Sequence, residues 1–266
     1  MRRERLTVRA NEAVGPYALL RLARGGLDTG TPGQFFMLEA PGRPLPRPFS
    51  LCTAPTGELG FLVEALGPGT TAIAALGVGD EIHVTGPLGR GFDLEVARPV
   101  LVGGGIGVAP FPFLSERLGA PPAILGFRTA FHAEAAALVP NATVVLDPVL
   151  VTEALPSEPS DVLACGPEPM LDALARLVPG AQLAREAPMA CGYGACYGCV
   201  IEWNGRYARL CLEGPVVRGG THGSPTGPLL PVSGTHDRTW APAGQSPAPP
   251  AKASATDNAV KTRESA

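Results

Sequence analysis

The chain has 266 residues, 45% of them apolar. At roughly 100 to 200 residues per domain that allows one large or two ordinary domains with packed cores, and excludes both a disulfide-dependent miniprotein and a wholly disordered chain. Lys+Arg 21 against Asp+Glu 24 leaves a formal charge of -3, which offers no basic footprint for nucleic acid and no polybasic membrane anchor. Glycine (34) and proline (30) are frequent enough to require many tight turns or one biased segment. The opening run Met1-Arg-Arg-Glu-Arg5 is not followed by an apolar signal region, and no stretch reaches the ~18 continuous apolar residues of a membrane helix, so a soluble, cytoplasmic chain is expected.

The first hundred residues read as short strands between turn residues: Leu6 to Ala10, Tyr17 to Leu22, Phe35 to Glu39, Phe49 to Thr53, Gly60 to Leu66 and Glu81 to Thr85, with one short helix over Thr70 to Leu76. That spacing predicts a small antiparallel barrel. The pattern changes near Arg98. Strands at Val100 to Val102, Ala123 to Phe127, Thr143 to Leu146 and Val162 to Ala164 alternate with helices at Pro110 to Leu118 and Pro167 to Leu177, which implies a parallel sheet with right-handed crossovers. A unit from Arg185 to Val217 carries four of the six cysteines and is too short for a core of its own. From Thr221 to Ala266, 30 of 46 residues are Pro, Gly, Ala, Ser or Thr, so a disordered tail is expected. The fold class is multidomain α+β: a β-barrel over 1–97, a Rossmann-like parallel α/β domain over 98–184, a small cysteine domain over 185–220 and the tail over 221–266.

The cysteines run Cys191-Gly-Tyr-Gly-Ala-Cys196-Tyr-Gly-Cys199, with eleven residues between Cys199 and Cys211. This C-x4-C-x2-C-x11-C pattern has the spacing of a plant-type [2Fe-2S] loop, in which a distant segment supplies the fourth thiolate. Gly192, Gly194 and Gly198 permit positive φ and let backbone N–H groups point at the sulfurs. A structural zinc also takes four thiolates, though more often from two separated C-x2-C knuckles. A reducing compartment favours metal binding over disulfides for such a cluster.

Three further motifs suit phosphates and flat rings. Arg47-Pro-Phe49-Ser50 heads a strand, where a guanidinium can fork onto a pyrophosphate, an apolar side chain can lie along a ring and a hydroxyl can bond a flavin nitrogen. Gly67-Pro-Gly69-Thr70-Thr71 opens the short helix with the chemistry of a phosphate nest. Gly103-Gly-Gly105-Ile-Gly107-Val-Ala-Pro110 follows a buried strand and opens a helix, although the strict G-x-G-x-x-G fingerprint is not met, and Arg128 rather than an acidic residue stands at the end of the next strand. NAD versus NADP stays open on charge. Cys165, in Cys165-Gly-Pro-Glu-Pro-Met170, sits at a carboxyl-terminal strand end, either as a nicotinamide contact or as a small buried filler like Cys52.

In this order the motifs resemble the ferredoxin-reductase-like flavoproteins. Met189-Ala-Cys-Gly-Tyr-Gly-Ala-Cys-Tyr-Gly-Cys199 with Leu210-Cys-Leu-Glu-Gly-Pro215 is similar, more closely, to the electron-transfer subunits of type B dihydroorotate dehydrogenases, over about residues 3 to 218. The resemblance implies an oxidoreductase subunit with FAD in the barrel, NAD in the α/β domain and one [2Fe-2S] cluster at the C-terminal end. It also implies an FMN-containing dihydroorotate dehydrogenase catalytic subunit as partner, in a heterotetramer of two copies of each. Electrons would pass from FMN through the cluster and FAD to NAD⁺, in pyrimidine (UMP) biosynthesis. FAD contacts are implied for Arg47, Pro48, Phe49, Ser50, Leu62, Val63, Glu64, Gly69 and Thr70, nucleotide contacts for Gly103, Gly105, Gly107 and Cys165, and iron ligation for Cys191, Cys196, Cys199 and Cys211. No catalytic base is expected, because the cofactors carry the electrons. The chain departs from the family between Val145 and Val151, where relatives carry a longer Asp-Gly-Ser and Gly-rich stretch near the nucleotide. Two alternatives remain: the same cofactors serving a ferredoxin-dependent transhydrogenase, sulfide dehydrogenase or hydrogenase, and a zinc-stabilised binding module without redox function.

Overall fold

The structure is a computed structural model and describes residues 1–157 and 161–219; the tail expected over 221–266 lies outside the described residues. The first six strands are β1 (Arg2–Val14), β2 (Tyr17–Ala23), β3 (Phe35–Leu38), β4 (Arg47–Ser50), β5 (Glu58–Glu64) and β6 (Glu81–Leu88), and they form one antiparallel sheet in the order β4-β3-β6-β1-β2-β5. The two end strands meet just past β4, where Cys52 N donates to Gly60 O and Gly60 N to Thr53 O, each at 2.8 Å. The sheet therefore curls into a nearly closed barrel, filled by Leu20, Phe36, Leu38, Phe61, Val63 and Val84, with Ile73 of α1 (Pro68–Ala74) plugging it. Strand β1 is longer than its apolar run suggests. Arg2 to Thr7 pair with β6 and Val8 to Val14 with β2, and an irregularity between Val8 and Ala10 lets one strand serve both neighbours. Its charged end pairs with β6 through the backbone and through an Arg5–Glu81 ion pair, which hydropathy does not register.

The second sheet begins with β7 (Pro99–Gly104), a 3₁₀ turn at Gly105–Val108 and α2 (Phe111–Arg117), then β8 (Ala123–Phe127), α3 (Ala130–Ala133), β9 (Ala142–Leu146), β10 (Asp161–Cys165), α4 (Glu168–Leu177) and β11 (Gln182–Ala184). The hairpin β12 (Val200–Trp203) and β13 (Arg206–Arg209) and the single turn α5 (Leu210–Glu213) follow, before β14 (Val216–Arg218) returns to the sheet. The order is β14-β11-β10-β7-β8-β9, all parallel except β14, which runs antiparallel to β11. From β7 the chain continues to one side through β8 and later returns on the other at β10. The carboxyl ends of β7 and β10 thus flank a topological switch point, where open α/β sheets bind ligands.

The barrel and the parallel sheet share a hydrophobic cluster, with Tyr17, Leu19 and Leu62 meeting Leu101, Phe111, Leu114 and Ala135. No helix among the described residues is long and apolar enough to cross a membrane. Phe61 is fully buried and meets Phe36 edge to face, with ring centroids 5.6 Å apart. Phe61→Ala is expected to cost about 3–5 kcal/mol through lost transfer energy and the cavity left behind, read as a lowered midpoint in urea or thermal unfolding.

Candidate functional site

A cleft of about 260 Å³ lies between the barrel and the parallel sheet. Pro48, Phe49 and Ser50 of β4, Leu62 and Glu64 of β5 and Thr70 of α1 form its barrel side; Ile106, Ala109 and Cys165 form the sheet side. Strand alternation sorts the expected residues: Leu62 and Glu64 face the cleft, whereas Val63 turns its side chain into the barrel core, leaving only backbone for a ligand. The Arg47 guanidinium lies against Gly69, where an added Cβ would stand 3.1 Å from its Nε and Nη2. The glycine thus lets a cation and the start of α1 close around a small space. The Thr70 hydroxyl closes its own turn, accepting from Leu66 N at 3.0 Å and Gly67 N at 3.1 Å, so it shapes the loop as well as lining the cleft.

A second cleft of about 250 Å³ adjoins the first, and Glu64, Ile106 and Glu186 line both. Its floor is Gly104 to Gly107 on one side and Gly166, Pro167 and Glu168 on the other, with Arg128 and His132 at the rim. Gly105 adopts φ +55°, and a Cβ on Gly107 would stand 2.3 Å from the Cys165 carbonyl oxygen. Only glycine lets the loop after β7 lie against the end of β10. Gly103 does not reach either cleft; its Cα faces the Phe111 ring, a helix-packing role. Cys165 is buried, and desolvation, then Glu186, push its thiol pKa far up, so it lines the cleft as a neutral, unreactive group. A third space of about 390 Å³, beyond Gly104 and Gly105, is walled by Arg128, Asp147, Val149, Leu150 and Met170. Residues 147–151 therefore help to enclose a pocket.

Glu186 is solvent-exposed, yet its carboxyl lies in the concave space between the cleft walls, and its pKa is raised, first by desolvation there, then by Glu168 and Glu64. The same environment acts on Tyr17, whose phenol pKa is pushed up to about 12 by burial and by Glu64, against Arg128.

The cysteine loop leads out of the first cleft through Ala187 and Met189. Gly192 and Gly194 take φ +79° and +85°, whereas Gly198 keeps an ordinary φ, and N–H groups of the loop turn toward the sulfurs as expected. Burial opposes ionisation of Cys191, but bonds from the N–H groups of Tyr193, Cys196 and Ala195 and from the Cys196 thiol outweigh it and bring its pKa down to about 6. Gly198 N donates to Cys196 Sγ at 3.4 Å. Cys199 and Cys211 lie 3.2 Å apart, sulfur to sulfur. Burial first, then Cys199, raises the Cys211 pKa to about 12, while the Gly194 N–H opposes the rise. The thiols thus stand as two pairs, Cys191 with Cys196 and Cys199 with Cys211. Among the described residues no three His, Cys, Asp or Glu side chains gather around a single ion. Two buried sulfurs this close can both be anionic only beside a cationic centre. The donor set and the inward N–H groups therefore fit a binuclear thiolate-bound group.

Comparison with known proteins agrees with this geometry. The model of the iron-sulfur cluster binding domain of dihydroorotate dehydrogenase B matches residues 186–221. The dihydroorotate dehydrogenase B (NAD(+)) electron transfer subunit of Bacillus caldolyticus is 36% identical over 250 residues, covering 82% of this chain and 97% of that protein. The subunit of the same name from Listeria innocua is 37% identical over 223 residues, covering 71% and 85%. The chain belongs to the family of dihydroorotate dehydrogenase B electron transfer subunits. Among solved structures, an NADH-dependent reduced ferredoxin-NADP oxidoreductase superposes with a TM-score of 0.70 at 21% identity over 80% of this chain and 88% of that one. Phthalate dioxygenase reductase gives 0.54 at 18% identity over 76% and 87%. These neighbours establish the ferredoxin-reductase-type fold that the motifs imply for family members, and as one of them the chain is an oxidoreductase subunit.

Two residues at the centre of this family member were not found from the sequence. Glu186 carried no motif. Arg185 marked only the start of the cysteine unit, yet it is 1% exposed. The Asn204-Gly205 turn of the cysteine hairpin, with φ +50° and +71°, had a usable signal in that dipeptide alone.

The raised pKa of Glu186 gives a pH-dependent prediction. A carboxylate whose folded-state pKa lies above its unfolded value costs stability above the folded pKa and nothing once both states are protonated. Glu186→Gln is therefore expected to raise the melting temperature at pH 7.5, with the gain shrinking as the pH falls toward the ordinary carboxylate range.

Proposed function

We propose that the chain is the electron-transfer subunit of an NAD-dependent dihydroorotate dehydrogenase in pyrimidine biosynthesis. It would hold FAD in the cleft between β4, β5 and the glycine loop, and a [2Fe-2S] cluster on Cys191, Cys196, Cys199 and Cys211. The observation that carries this reading is the continuity of the first cleft. It shares Glu64, Ile106 and Glu186 with the glycine-loop cleft, and its wall includes Ala187 and Met189, the run that enters Cys191. When bound, a flavin and a two-iron cluster together supply the exchange between single electrons and hydride.

The residues of the chain position and insulate. Arg47 offers a guanidinium beside the opening of α1 for a pyrophosphate, and Pro48, Phe49 and Leu62 present apolar surface to a ring, with the Ser50 hydroxyl beside them. Gly105 and Gly107 open the adjoining cleft to a nicotinamide nucleotide, with Cys165 closing the wall and Arg128 at the rim. The loop N–H groups offset the charge of four thiolates. The four cysteines and the matched cluster domain support this reading over a zinc module.

Tyr193, Tyr197 and Tyr207 are 52%, 64% and 72% exposed around the cysteines. Large aromatic side chains left open beside an electron-carrying site suit docking of an FMN-containing catalytic subunit. In a heterotetramer of two copies of each chain they would lie at the contact.

Anaerobic purification is expected to give a coloured protein with about one flavin, two iron and two sulfide per chain, and a rhombic EPR signal on reduction. Cys196→Ser is expected to lose that signal while retaining flavin. A colourless protein holding one zinc would overturn the reading. Separately, Tyr193→Ser with Tyr197→Ser is expected to weaken association with the FMN subunit by at least ~10-fold, as for removal of interface anchors, measured by titration calorimetry. Unchanged affinity would remove these side chains from the interface.

A further inference from the structure

The largest fully buried side chain of the described residues is a cation, Arg185. Its guanidinium bonds Glu168 and, at 2.7 Å, Asp172, both on α4. Its face is covered by the Trp203 ring, with Cζ 5.0 Å from the ring centroid. Its Nε is buried and has no hydrogen-bond partner. Packing alone does not call for such a group, since an apolar side chain of similar volume would fill the space without desolvating a charge. What the charge adds is direction, because it is tolerated only where both carboxylates and the ring are in place.

Those partners belong to different parts of the molecule. Trp203 packs against the cluster of Leu171, Leu174 and Leu183 in the parallel sheet and also against the cluster of Phe35, Met37, Cys199 and Cys211. It stands at the tip of the β12–β13 hairpin, beside the Asn204-Gly205 turn. Cys199 directly precedes β12, and Cys211 lies in α5 directly after β13. The tip is thus pinned to α4 while the base carries one of the two thiol pairs. At its other end the same arrangement reaches the second cleft. Glu168 lines that cleft, and its Oε1 accepts from Glu186 N at 3.4 Å.

We infer that Arg185 is a positioning residue that locks the cysteine hairpin to α4 and so fixes how the thiol pairs stand against the flavin cleft. Its meaning for electron transfer rests on the function proposed above; the mechanical lock does not. A hairpin held only at its base would rock about the Cys199–Cys211 pair, and a rocking ligand pair would broaden the environment of any bound iron.

The test uses the purified holoprotein and hydrogen–deuterium exchange of residues 200–209, with the EPR line shape of the reduced protein as a second readout. Arg185→Met is expected to accelerate exchange across 200–209 by ~10-fold while β1 to β6 keep their rates, the mark of a local opening, and to broaden the EPR lines. Arg185→Lys is expected to restore part of the protection, Trp203→Phe nearly all of it, and Trp203→Leu little. Exchange at 200–209 unchanged in Arg185→Met, or raised equally over the whole chain, would overturn the inference, because the side chain would then be only a filler of the core. If Arg185→Met does not fold, Asp172→Asn decides: acceleration of about 3-fold confined to 200–209 supports the lock, and none overturns it. Wild-type protein devoid of iron and flavin would overturn the proposed function, while the exchange comparison would still judge the lock.

Discussion

Everything beyond β11 depends on a backbone junction at the foot of the cysteine unit. Strands β11 and β14 are neighbours in one sheet, with Gln182 to Ala184 opposite Arg218 to Val216, so the chain between them leaves and re-enters at one place. Arg185 N donates to Pro215 O at 3.0 Å, directly across that opening. Arg90, just past the last barrel strand, accepts from Val216 N at 3.4 Å and pairs in a bridge with Pro215. Barrel, parallel sheet and cysteine unit are thus tied by main-chain hydrogen bonds within a few residues of one another. Buried Gln182 adds a side-chain tie, accepting from Asp93 N at 2.7 Å and donating to Asp93 O at 2.9 Å. Main-chain pairing of this kind does not depend on side-chain identity, which suits a junction that must hold two ligand clefts and a metal loop in fixed register.

The electrostatics of the cleft follow from that geometry. Three carboxylates, Glu64, Glu168 and Glu186, converge near the place where the two clefts meet. Glu168 is answered by Arg185. The pKa of Glu186 is raised, first by desolvation and then by repulsion from Glu168 and Glu64. Arg47 lies apart from these carboxylates, against Gly69 at the start of α1.

Much of this was legible in the sequence because the relevant signals are local. The alternation of strands and turns before Arg98, the strand–helix alternation after it, and the cysteine spacing each reflect short-range constraints that survive without tertiary context. The strands that were missed, β11 to β14, are three or four residues each, too short for a period to register. Val63 and Gly103 were grouped with their neighbours by motif, but strand alternation turns one into the barrel core and helix packing claims the other. Arg185 is the instructive omission. Its burial is decided by Asp172 on one side and Trp203 on the other, 13 and 18 residues away, and nothing in the adjacent residues announces either.

The adjacency of β11 and β14 also bears on how such a chain can be altered over time. A segment that departs and returns between two hydrogen-bonded neighbours behaves as a cassette: its length and cargo can change without shifting the register of the sheet beneath it, since loop-closure cost grows only slowly with added residues. The host architecture, an antiparallel barrel beside a nucleotide-type sheet, is thereby free to be paired with different electron carriers, the carrier being a graft at one fixed portal rather than a separate globule on a tether.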